Sequence, residues 1–152
     1  MQKTLFAVAA ALLLHAPAAV AQKTEVMAVV RQFIDGFNKG DVASALVTCA
    51  DQTSIIDEFP PYEWHGSGSC AKWAEDFDAY AKKSGMTGPV VTLTTPKHVN
   101  VEGDRAYVVV PSSFEFTQNG KPVKQTGATL TAALQKTAAG WRITGWSWST
   151  GS

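Results

Sequence analysis

The stretch VVRQFIDGFNKGD, residues 29–41, predicts the end of one helix and the start of the next. Apolar residues recur at every third or fourth position here and just upstream, which places them on one face of a helix. Gly40 can end this helix in the left-handed conformation, and the Asp41 carboxylate can cap the helix that follows. We therefore expect a helix over residues 24–38, a tight corner, and a short helix over residues 42–48. The apolar stripe of the first helix consists of Val26, Val30, Phe33 and Phe37.

A strand and a third helix are predicted downstream of this corner. Residues 52–59 predict a strand that stops before Pro60-Pro61, because proline cannot continue a ladder of hydrogen bonds. The glycines and serines of residues 66–69 then lead into a helix that Ser84-Gly85 ends. The apolar stripe of this helix consists of Cys70, Trp73, Phe77 and Tyr80.

The remainder of the chain reads as antiparallel β-structure. Residues 90–101, 105–118, 123–137 and 141–149 are rich in valine, threonine and aromatic residues, and short turn sequences separate them, of which Asn119-Gly120 is the strongest. Helices followed by a meander predict an α+β fold, in which a curved antiparallel sheet packs against three helices from the N-terminal half. Such a cone leaves an apolar interior, the usual kind of place for a ligand.

The last strand leaves two interpretations open. Trp146 and Trp148 alternate in phase with each other but out of phase with Trp141 and Ile143. Either the strand carries aromatic residues on both faces, so that a partner subunit covers the second face, or a bulge at Gly145 resets the phase. The first interpretation is one reason to expect a homodimer across the sheet face.

The N-terminus predicts export. Lys3, an apolar run over residues 5–14 and the small-x-small site Ala19-Val20-Ala21 follow one another in the order of a secretory signal peptide. The apolar run is shorter than the roughly 20 residues that a membrane-spanning helix needs. Cleavage after Ala21 would release residues 22–152 as one soluble domain, periplasmic or secreted, with no membrane attachment.

Charge and motifs limit the partners that we expect. The chain carries 13 basic and 13 acidic residues, and loss of Lys3 leaves one net negative charge, so nothing favours nucleic acid as a partner. Residues 66–71 match G-x-G-x-x-A, but they lack the preceding parallel strand of a dinucleotide site. Two histidines in the mature chain are too few for a convincing metal site. We expect no cofactor and no metal.

The two cysteines, Cys49 and Cys70, both lie in the mature chain. In an oxidising compartment an even pair can form a disulfide, whereas two buried thiols would act as small hydrophobic side chains. Predicted export favours the disulfide.

The helix-1 stretch with its N-x-G-D corner resembles the opening of the nuclear transport factor 2-like superfamily, which includes SnoaL-like proteins and ketosteroid isomerases. Three later motifs agree in order and spacing: Ala50-Asp51 before the first strand, His65-Gly66 before the third helix, and residues 140–143 at the start of the last strand. The resemblance covers nearly all of the mature chain. It implies the fold of this superfamily, whose members include both enzymes and binding proteins.

Asp57 is the main candidate for chemistry. The resemblance aligns it with the general-base aspartate of ketosteroid isomerases, in which an oxyanion hole of tyrosine and protonated aspartate stabilises the enolate. Here the corresponding tyrosine position is Phe33, and the second acid falls near Thr131 or Ala132, so ketosteroid isomerase activity is not expected. Asp57 could instead act with His65 or His98, as in dehydratase-like members. Strand alternation predicts that only one of Asp57 and Glu58 faces the interior.

The leading functional hypothesis is a protein that binds a small, largely apolar molecule in the cone. The alternatives are a cofactor-independent isomerase or dehydratase with Asp57 as general base, aided by His65, and an interaction module whose cavity is filled by its own aromatic side chains. The residues expected to line the pocket are Phe33, Phe37, Trp64, Trp73, Phe77, Tyr80, Tyr107, Phe114, Trp146 and Trp148.

Overall fold

A computed structural model describes residues 15–151 of the chain. The helices are α1 (His15–Lys39), α2 (Val42–Leu46) and α3 (Ser69–Ser84). The strands are β1 (Cys49–Ile56), β2 (Glu63–Trp64), β3 (Met86–Leu93), β4 (His98–Glu102), β5 (Arg105–Gln118), β6 (Lys121–Thr137) and β7 (Gly140–Ser149). The predicted α+β fold is confirmed, with the helices in the N-terminal half and a long sheet after them.

The seven strands form one sheet in the order β2-β1-β7-β6-β5-β3, and β4 also pairs with β5. Neighbouring strands are antiparallel except for β1 and β7, which are parallel. The chain therefore returns its last strand to lie beside its first. This brings the end of β1 next to the aromatic residues of β7.

The corner between α1 and α2 depends on close contact between the two helices. A Cβ atom added to Gly36 would lie 2.7 Å from the backbone nitrogen of Ala45, so only glycine fits without a shift. The Asp41 carboxylate accepts a hydrogen bond from the Ser44 backbone N–H at 3.0 Å, which caps α2 as predicted. The corner fixes the direction in which the C-terminal half of α1 crosses the sheet.

α1 lies on the concave face of the sheet and buries its predicted stripe there. Val26, Val30 and Phe33 are at most 3% exposed, and Phe37 packs against the same core as a partly buried residue. On the long strands, alternate residues face α1. Among them, Val108, Val110 and Leu134 are at most 1% exposed. One continuous core thus joins the helices to the sheet.

A bulge in β7 decides between the two interpretations of the last strand. Gly145 pairs with Ala133 and Ile143 pairs with Leu134, so Thr144 is the extra residue between them. Trp141, Ile143 and Trp146 are all buried as a result. The aromatic residues of β7 lie on one face, and the argument for a partner subunit from two aromatic faces does not apply.

The strand predicted over residues 90–101 is wrong in its bounds, because two strands occupy that region. β3 starts earlier, at Met86, and β4 follows after a break that contains Pro96. Both strands pair with β5, β3 with its C-terminal half and β4 with its N-terminal half. The pairing register shifts between Thr87 and Val90 and between Ser112 and Phe114, and irregularities of this kind bend and twist a sheet locally.

Cys49 and Cys70 form a disulfide between the start of β1 and the start of α3, with Cα atoms 6.6 Å apart. This confirms the predicted bridge. The bond ties α3 to the part of the sheet where Cys49 pairs with Ile143.

The predicted signal peptide lies partly outside the described residues, which begin at His15. Residues 15–21 form the beginning of α1, and the helix therefore starts before the predicted cleavage site. Within the described part of the chain, none of the helices is long and apolar enough to cross a membrane.

Candidate functional site

A cavity of about 60 Å³ lies between α1, α3 and the curved sheet. Of the eleven described residues that line it, ten are apolar or aromatic and the remaining one is Asp57. The lining residues are Phe33, Ile34, Phe37, Asp57, Trp73, Phe77, Val91, Phe114, Leu130, Trp146 and Trp148. The site is thus an apolar chamber with a single carboxylate on its wall.

A wider groove adjoins this cavity and opens to solvent. It measures about 310 Å³ and shares Asp57, Phe77, Phe114 and Trp148 with the inner cavity. Its other residues are more polar and include Glu58, Tyr80, Gln118 and Gln125. An apolar interior with a polar mouth suits a ligand that carries a polar group at one end.

The Asp57 carboxylate is held by two hydrogen bonds. Oδ2 accepts from Trp73 Nε1 at 2.9 Å, and Oδ1 accepts from the Glu58 backbone N–H at 2.7 Å. Burial raises the pKa of Asp57 above its usual value, the two hydrogen bonds act in the opposite direction, and the Glu58 charge adds to the rise. A carboxyl group with a raised pKa exchanges protons closer to neutral pH than an ordinary aspartate does.

A tight turn after β1 places Asp57 in this position. The Asp57 backbone N–H donates to the Tyr62 carbonyl at 3.0 Å, and the Tyr62 N–H donates to the Phe59 carbonyl at 2.9 Å. Tyr62 has a φ angle of 74°, which is rare for a residue with a side chain. The turn lets β1 end at Ile56 while the next residue still reaches the cavity.

Glu58 takes a different direction from its neighbour. Its carboxylate accepts hydrogen bonds from the Thr150 backbone N–H at 2.6 Å and from the Thr150 hydroxyl at 2.9 Å. These bonds tie the end of β1 to the residues after β7. Asp57 therefore lines the inner cavity, whereas Glu58 borders only the outer groove.

The aromatic rings of the wall meet at a range of angles, and Trp73 and Phe77 are stacked with their planes at 26°. Trp73 and Trp146 meet edge to face, with ring centroids 4.8 Å apart and planes at 90°. Phe37 and Phe77 are also edge to face, at 5.1 Å. These aromatic contacts form the walls of the cavity.

Asn38 fixes one wall of the cavity through hydrogen bonds that the sequence did not indicate. Its Nδ2 donates to the Val91 carbonyl at 2.8 Å, and its Oδ1 accepts from the Val91 N–H at 2.7 Å. The side chain thus acts as a two-point clamp between α1 and β3. The only available signal was the position of Asn38 in the helix-1 corner, because its partner lies 53 residues away.

Seven of the ten residues predicted to line the pocket border the inner cavity: Phe33, Phe37, Trp73, Phe77, Phe114, Trp146 and Trp148. Tyr80 borders the outer groove instead and stacks on Phe59 at 5.2 Å. Trp64 is buried beside Phe59, and its Nε1 donates to Asp76 Oδ2 at 2.9 Å, away from the cavity.

The structure does not bring Tyr107 to the cavity. It alternates with the buried Ala106 and Val108 on β5, so that its side chain lies on the outer face of the sheet and is 47% exposed. The prediction grouped Tyr107 with the other aromatic residues by type. The alternation of β5, with Val108 and Val110 on the buried face, would have placed Tyr107 on the opposite face.

His65 and Asp57 are not brought together at the cavity either. His65 is exposed in the segment between β2 and α3 and lines neither the inner cavity nor the outer groove. His98 is exposed at the start of β4. Among the cavity-lining residues of the described chain, Asp57 is the one group that can exchange a proton at ordinary pH.

Two positions that the ketosteroid isomerase resemblance singled out carry no polar group in the cavity. The Phe33 ring lies on the wall, with its centroid 5.7 Å from that of Trp146. Ala132 is buried on the concave face of β6, directly opposite Trp146 on β7. Thr131 lies on the opposite face of β6 from Ala132 and pairs with Ser147.

Within residues 15–151 no group of three or more histidine, cysteine, aspartate or glutamate side chains is arranged to hold a metal ion. The described side chains that line the cavity can supply apolar contacts, hydrogen bonding and proton exchange at one carboxylate.

Solved structures with the same fold cover most of the chain. A nuclear transport factor 2-like superfamily protein from Salmonella enterica superposes with a TM-score of 0.73 at 20% identity, over 88% of this chain and 93% of that one. A protein described as a putative dehydratase of the NTF2-like family, from Streptomyces avermitilis, gives a TM-score of 0.72 at 18% identity, over 88% and 98%. At these identities the likeness concerns the fold alone.

A third structure, described as a putative aromatic ring hydroxylase from Novosphingobium aromaticivorans, gives a TM-score of 0.72 at 12% identity, over 86% of this chain and 90% of that one. No curated protein matches the sequence. The sequence profile of the SnoaL-like domain matches residues 26–151, from the first buried residue of α1 to the end of the described chain. The chain belongs to the SnoaL-like domain family and has the fold of the nuclear transport factor 2-like superfamily.

Proposed function

We propose that this protein is exported and binds a small, largely apolar molecule in the cavity between α1, α3 and the sheet. The observation that carries the proposal is the lining, ten apolar or aromatic side chains and one carboxylate around about 60 Å³ of space. Pockets for drug-sized ligands measure roughly 300–1,000 Å³, so the inner cavity would hold only part of such a ligand and the adjoining groove would hold the rest.

Export is supported by two features. The Cys49–Cys70 disulfide is a bond that persists in oxidising compartments. Cleavage after Ala21 would remove the exposed residues 18–21 and leave Val26, the first buried residue of α1, in place. Intact mass and N-terminal sequence of protein recovered from outside the cytoplasm test this: a mature chain starting at Gln22 is expected, and an uncleaved chain would contradict it.

Binding is tested with ethylbenzene, a small apolar probe with one ring, and a pair of matched variants. Val91 borders the cavity, whereas the adjacent Val90 is 42% exposed on the other face of the same strand. Val91→Phe should fill the cavity and weaken binding at least tenfold, and Val90→Phe should leave the affinity unchanged. Titration by tryptophan fluorescence measures both.

If ethylbenzene fails to bind the unsubstituted protein, or binds equally well to Val91→Phe, the binding proposal is wrong. The cavity would then be closed by its own aromatic side chains, as an interaction module requires. Mass spectrometry of molecules extracted from freshly purified protein would add the chemical class of any natural ligand.

A second candidate function is proton transfer at carbon by Asp57. It is favoured by the position of the carboxylate on an apolar wall together with the raised pKa of Asp57. The reaction class would be enolisation, in which the carboxylate takes a proton from the carbon next to a carbonyl group. Acetophenone in D₂O provides the assay, since exchange of its methyl protons is visible by NMR.

Asp57→Asn should abolish any exchange above the buffer rate, because an amide cannot take the proton. His65→Gln tests the other half of the sequence prediction and should have no effect, since His65 is exposed and lines neither the cavity nor the groove. Exchange at the buffer rate with the unsubstituted protein would contradict enolisation and leave binding as the function.

Homodimerisation across the outer face of the sheet stays a prediction. Support comes from apolar side chains that this face leaves exposed, with Ile56 at 61%, Tyr107 at 47% and Val90 at 42%. Analytical ultracentrifugation should give a dimer that Tyr107→Lys converts to a monomer. A monomer at micromolar concentration without any substitution would contradict it.

A further inference from the structure

The carboxylate of Asp57 has no counter-charge among the described residues. Asp57 is half-buried and lines both the inner cavity and the outer groove. None of the described residues that line these two spaces is basic, and within residues 15–151 Asp57 forms no ion pair. A carboxylate that is partly removed from water without a cation beside it costs free energy. This cost is the reason why burial raises the pKa of Asp57.

Asp76 has a similar setting, but a lysine of the chain supplies its counter-charge. Its Oδ2 accepts a hydrogen bond from Trp64 Nε1 at 2.9 Å, just as Asp57 Oδ2 accepts one from Trp73 Nε1 at 2.9 Å. Its Oδ1 accepts another from the Lys72 ammonium group at 2.7 Å. Asp76 lines neither the inner cavity nor the outer groove. The carboxylate outside the site therefore has its cation within the chain, whereas the one inside the site does not.

A second carboxylate adds negative charge at the mouth of the site. Glu58 lines the outer groove, and its oxygen atoms accept hydrogen bonds from Thr150 rather than from a cation. An ionised carboxylate can accept about four hydrogen bonds, and each oxygen of Asp57 accepts one within the protein. Asp57 can therefore accept further hydrogen bonds from a donor that a ligand brings.

Aromatic rings surround this acidic mouth. Six of the eleven described residues that line the outer groove are aromatic, namely Phe59, Phe77, Tyr80, Phe114, Phe116 and Trp148. The face of an aromatic ring attracts a cation that lies within about 6 Å of the ring centroid. The carboxylates and the ring faces thus favour the same sign of charge, and both disfavour an anion.

We infer that the ligand is a protonated amine with an apolar body, and that its ammonium group donates hydrogen bonds to the Asp57 carboxylate where the cavity joins the groove. The inference rests on the proposed function and adds to it the chemical class of the ligand. The apolar body extends into the inner cavity, and Glu58 and the aromatic rings of the groove add to the attraction for the cation. Asp57 is then the residue that selects the charge of the ligand.

The test compares three probes that share a phenyl ring and a short alkyl chain and differ in the end group. At neutral pH 2-phenylethylamine ends in an ammonium group, propylbenzene in a methyl group and 3-phenylpropanoate in a carboxylate. The unsubstituted protein should bind 2-phenylethylamine about tenfold more tightly than propylbenzene, the usual worth of a hydrogen bond to a charged group. It should bind 3-phenylpropanoate most weakly. Titration by tryptophan fluorescence measures all three affinities.

Asp57→Asn removes the charge of the side chain and keeps its size. The ratio of the affinities for 2-phenylethylamine and propylbenzene should therefore fall close to one. The ratio is the readout because a change in the shape of the cavity acts on both probes. Asp76→Asn is the matched control, since it removes a carboxylate that is also bonded to a tryptophan but lies outside the site. Its ratio should equal that of the unsubstituted protein.

The order of the three probes on the unsubstituted protein decides the matter should Asp57→Asn fail to fold. If propylbenzene binds and 2-phenylethylamine binds no more tightly, if 3-phenylpropanoate binds most tightly, or if Asp57→Asn keeps the ratio, the inference is wrong and the proposed function stands. If none of the three probes binds, the proposed function itself fails and the inference falls with it.

Discussion

The two halves of the interior are built from different side chains and pack differently. Towards the N-terminal half of α1 the core is mainly aliphatic, and Val26, Val108 and Leu134 are at most 1% exposed. Towards the C-terminal half of α1 the interior is aromatic, and the cavity with Asp57 lies there. The aliphatic half is closely packed and stabilises the fold. The aromatic half is less closely packed, because it contains the cavity.

The largest expected effect comes from truncating the same residue type in both halves. Leu134 and Leu130 lie four residues apart on the concave face of β6, but only Leu130 borders the cavity. Leu134→Ala should lower the free energy of unfolding by about 3–5 kcal/mol. Leu130→Ala should cost roughly half as much, because part of its side chain already faces empty space.

Urea denaturation of the two variants measures this difference. Leu130→Ala should also bind ethylbenzene at least as tightly as the unsubstituted protein, since the cavity grows. Equal losses of stability would mean that the two halves are packed alike, and the comparison would break down.

The next largest effect concerns the disulfide, which belongs to the aliphatic half because Cys49 pairs with Ile143. Replacing both cysteines with serine removes a constraint on the unfolded chain worth about 3 kcal/mol for a loop of this length. The affinity for ethylbenzene should not change, because neither cysteine borders the cavity. A loss of affinity in the folded double variant would contradict the separation of the two halves.

The Asn38 clamp should couple stability to binding. Asn38→Ala leaves the Val91 N–H and carbonyl without partners and should cost about 1–3 kcal/mol in the free energy of unfolding. Because Val91 borders the cavity, binding of ethylbenzene should weaken as well. Asn38→Asp keeps the acceptor but not the donor, and its stability should lie between those of the alanine variant and the unsubstituted protein.

Features set by local periodicity could be predicted from the sequence, whereas those set by pairing across the sheet could not. The stripe of α1 and the Asn119-Gly120 turn before β6 follow from nearest neighbours along the chain. The extra residue Thr144 in β7 depends on which residues of β6 lie opposite. The sequence therefore left two interpretations of that strand, and only the register decides.

The candidate site also combines features that the sequence predicts with features that only the three-dimensional structure shows. Asp57 and seven aromatic residues were predicted by resemblance and by residue type, and they line the cavity. Residue type alone did not place Tyr107 correctly, because a tyrosine can lie on either face of a sheet, and Tyr107 lies on the outer one. The Asn38–Val91 clamp and the hydrogen bond from Trp73 to Asp57 arise only from three-dimensional proximity.

The smallest expected effect is a dependence of stability on pH that originates in the aromatic half. Burial raises the pKa of Asp57 above the value of 3.8 that it has in an unfolded chain. Between these two pKa values the folded state holds a proton that the unfolded state has lost, so the contribution of Asp57 to stability decreases as the pH rises through this window. Above the folded pKa the cost of the buried charge is constant.

Asp57→Asn removes this titration. The difference in Tm between the asparagine variant and the unsubstituted protein should therefore increase from pH 3.8 upwards and then level off once the folded carboxyl group is ionised. Subtracting the two curves cancels the other titrating groups, which are common to both proteins. A difference that stays flat from pH 3.8 to neutral pH would mean that hydrogen bonds from Trp73 and the Glu58 backbone offset the burial of the charge, and that the carboxylate on this wall is an ordinary one.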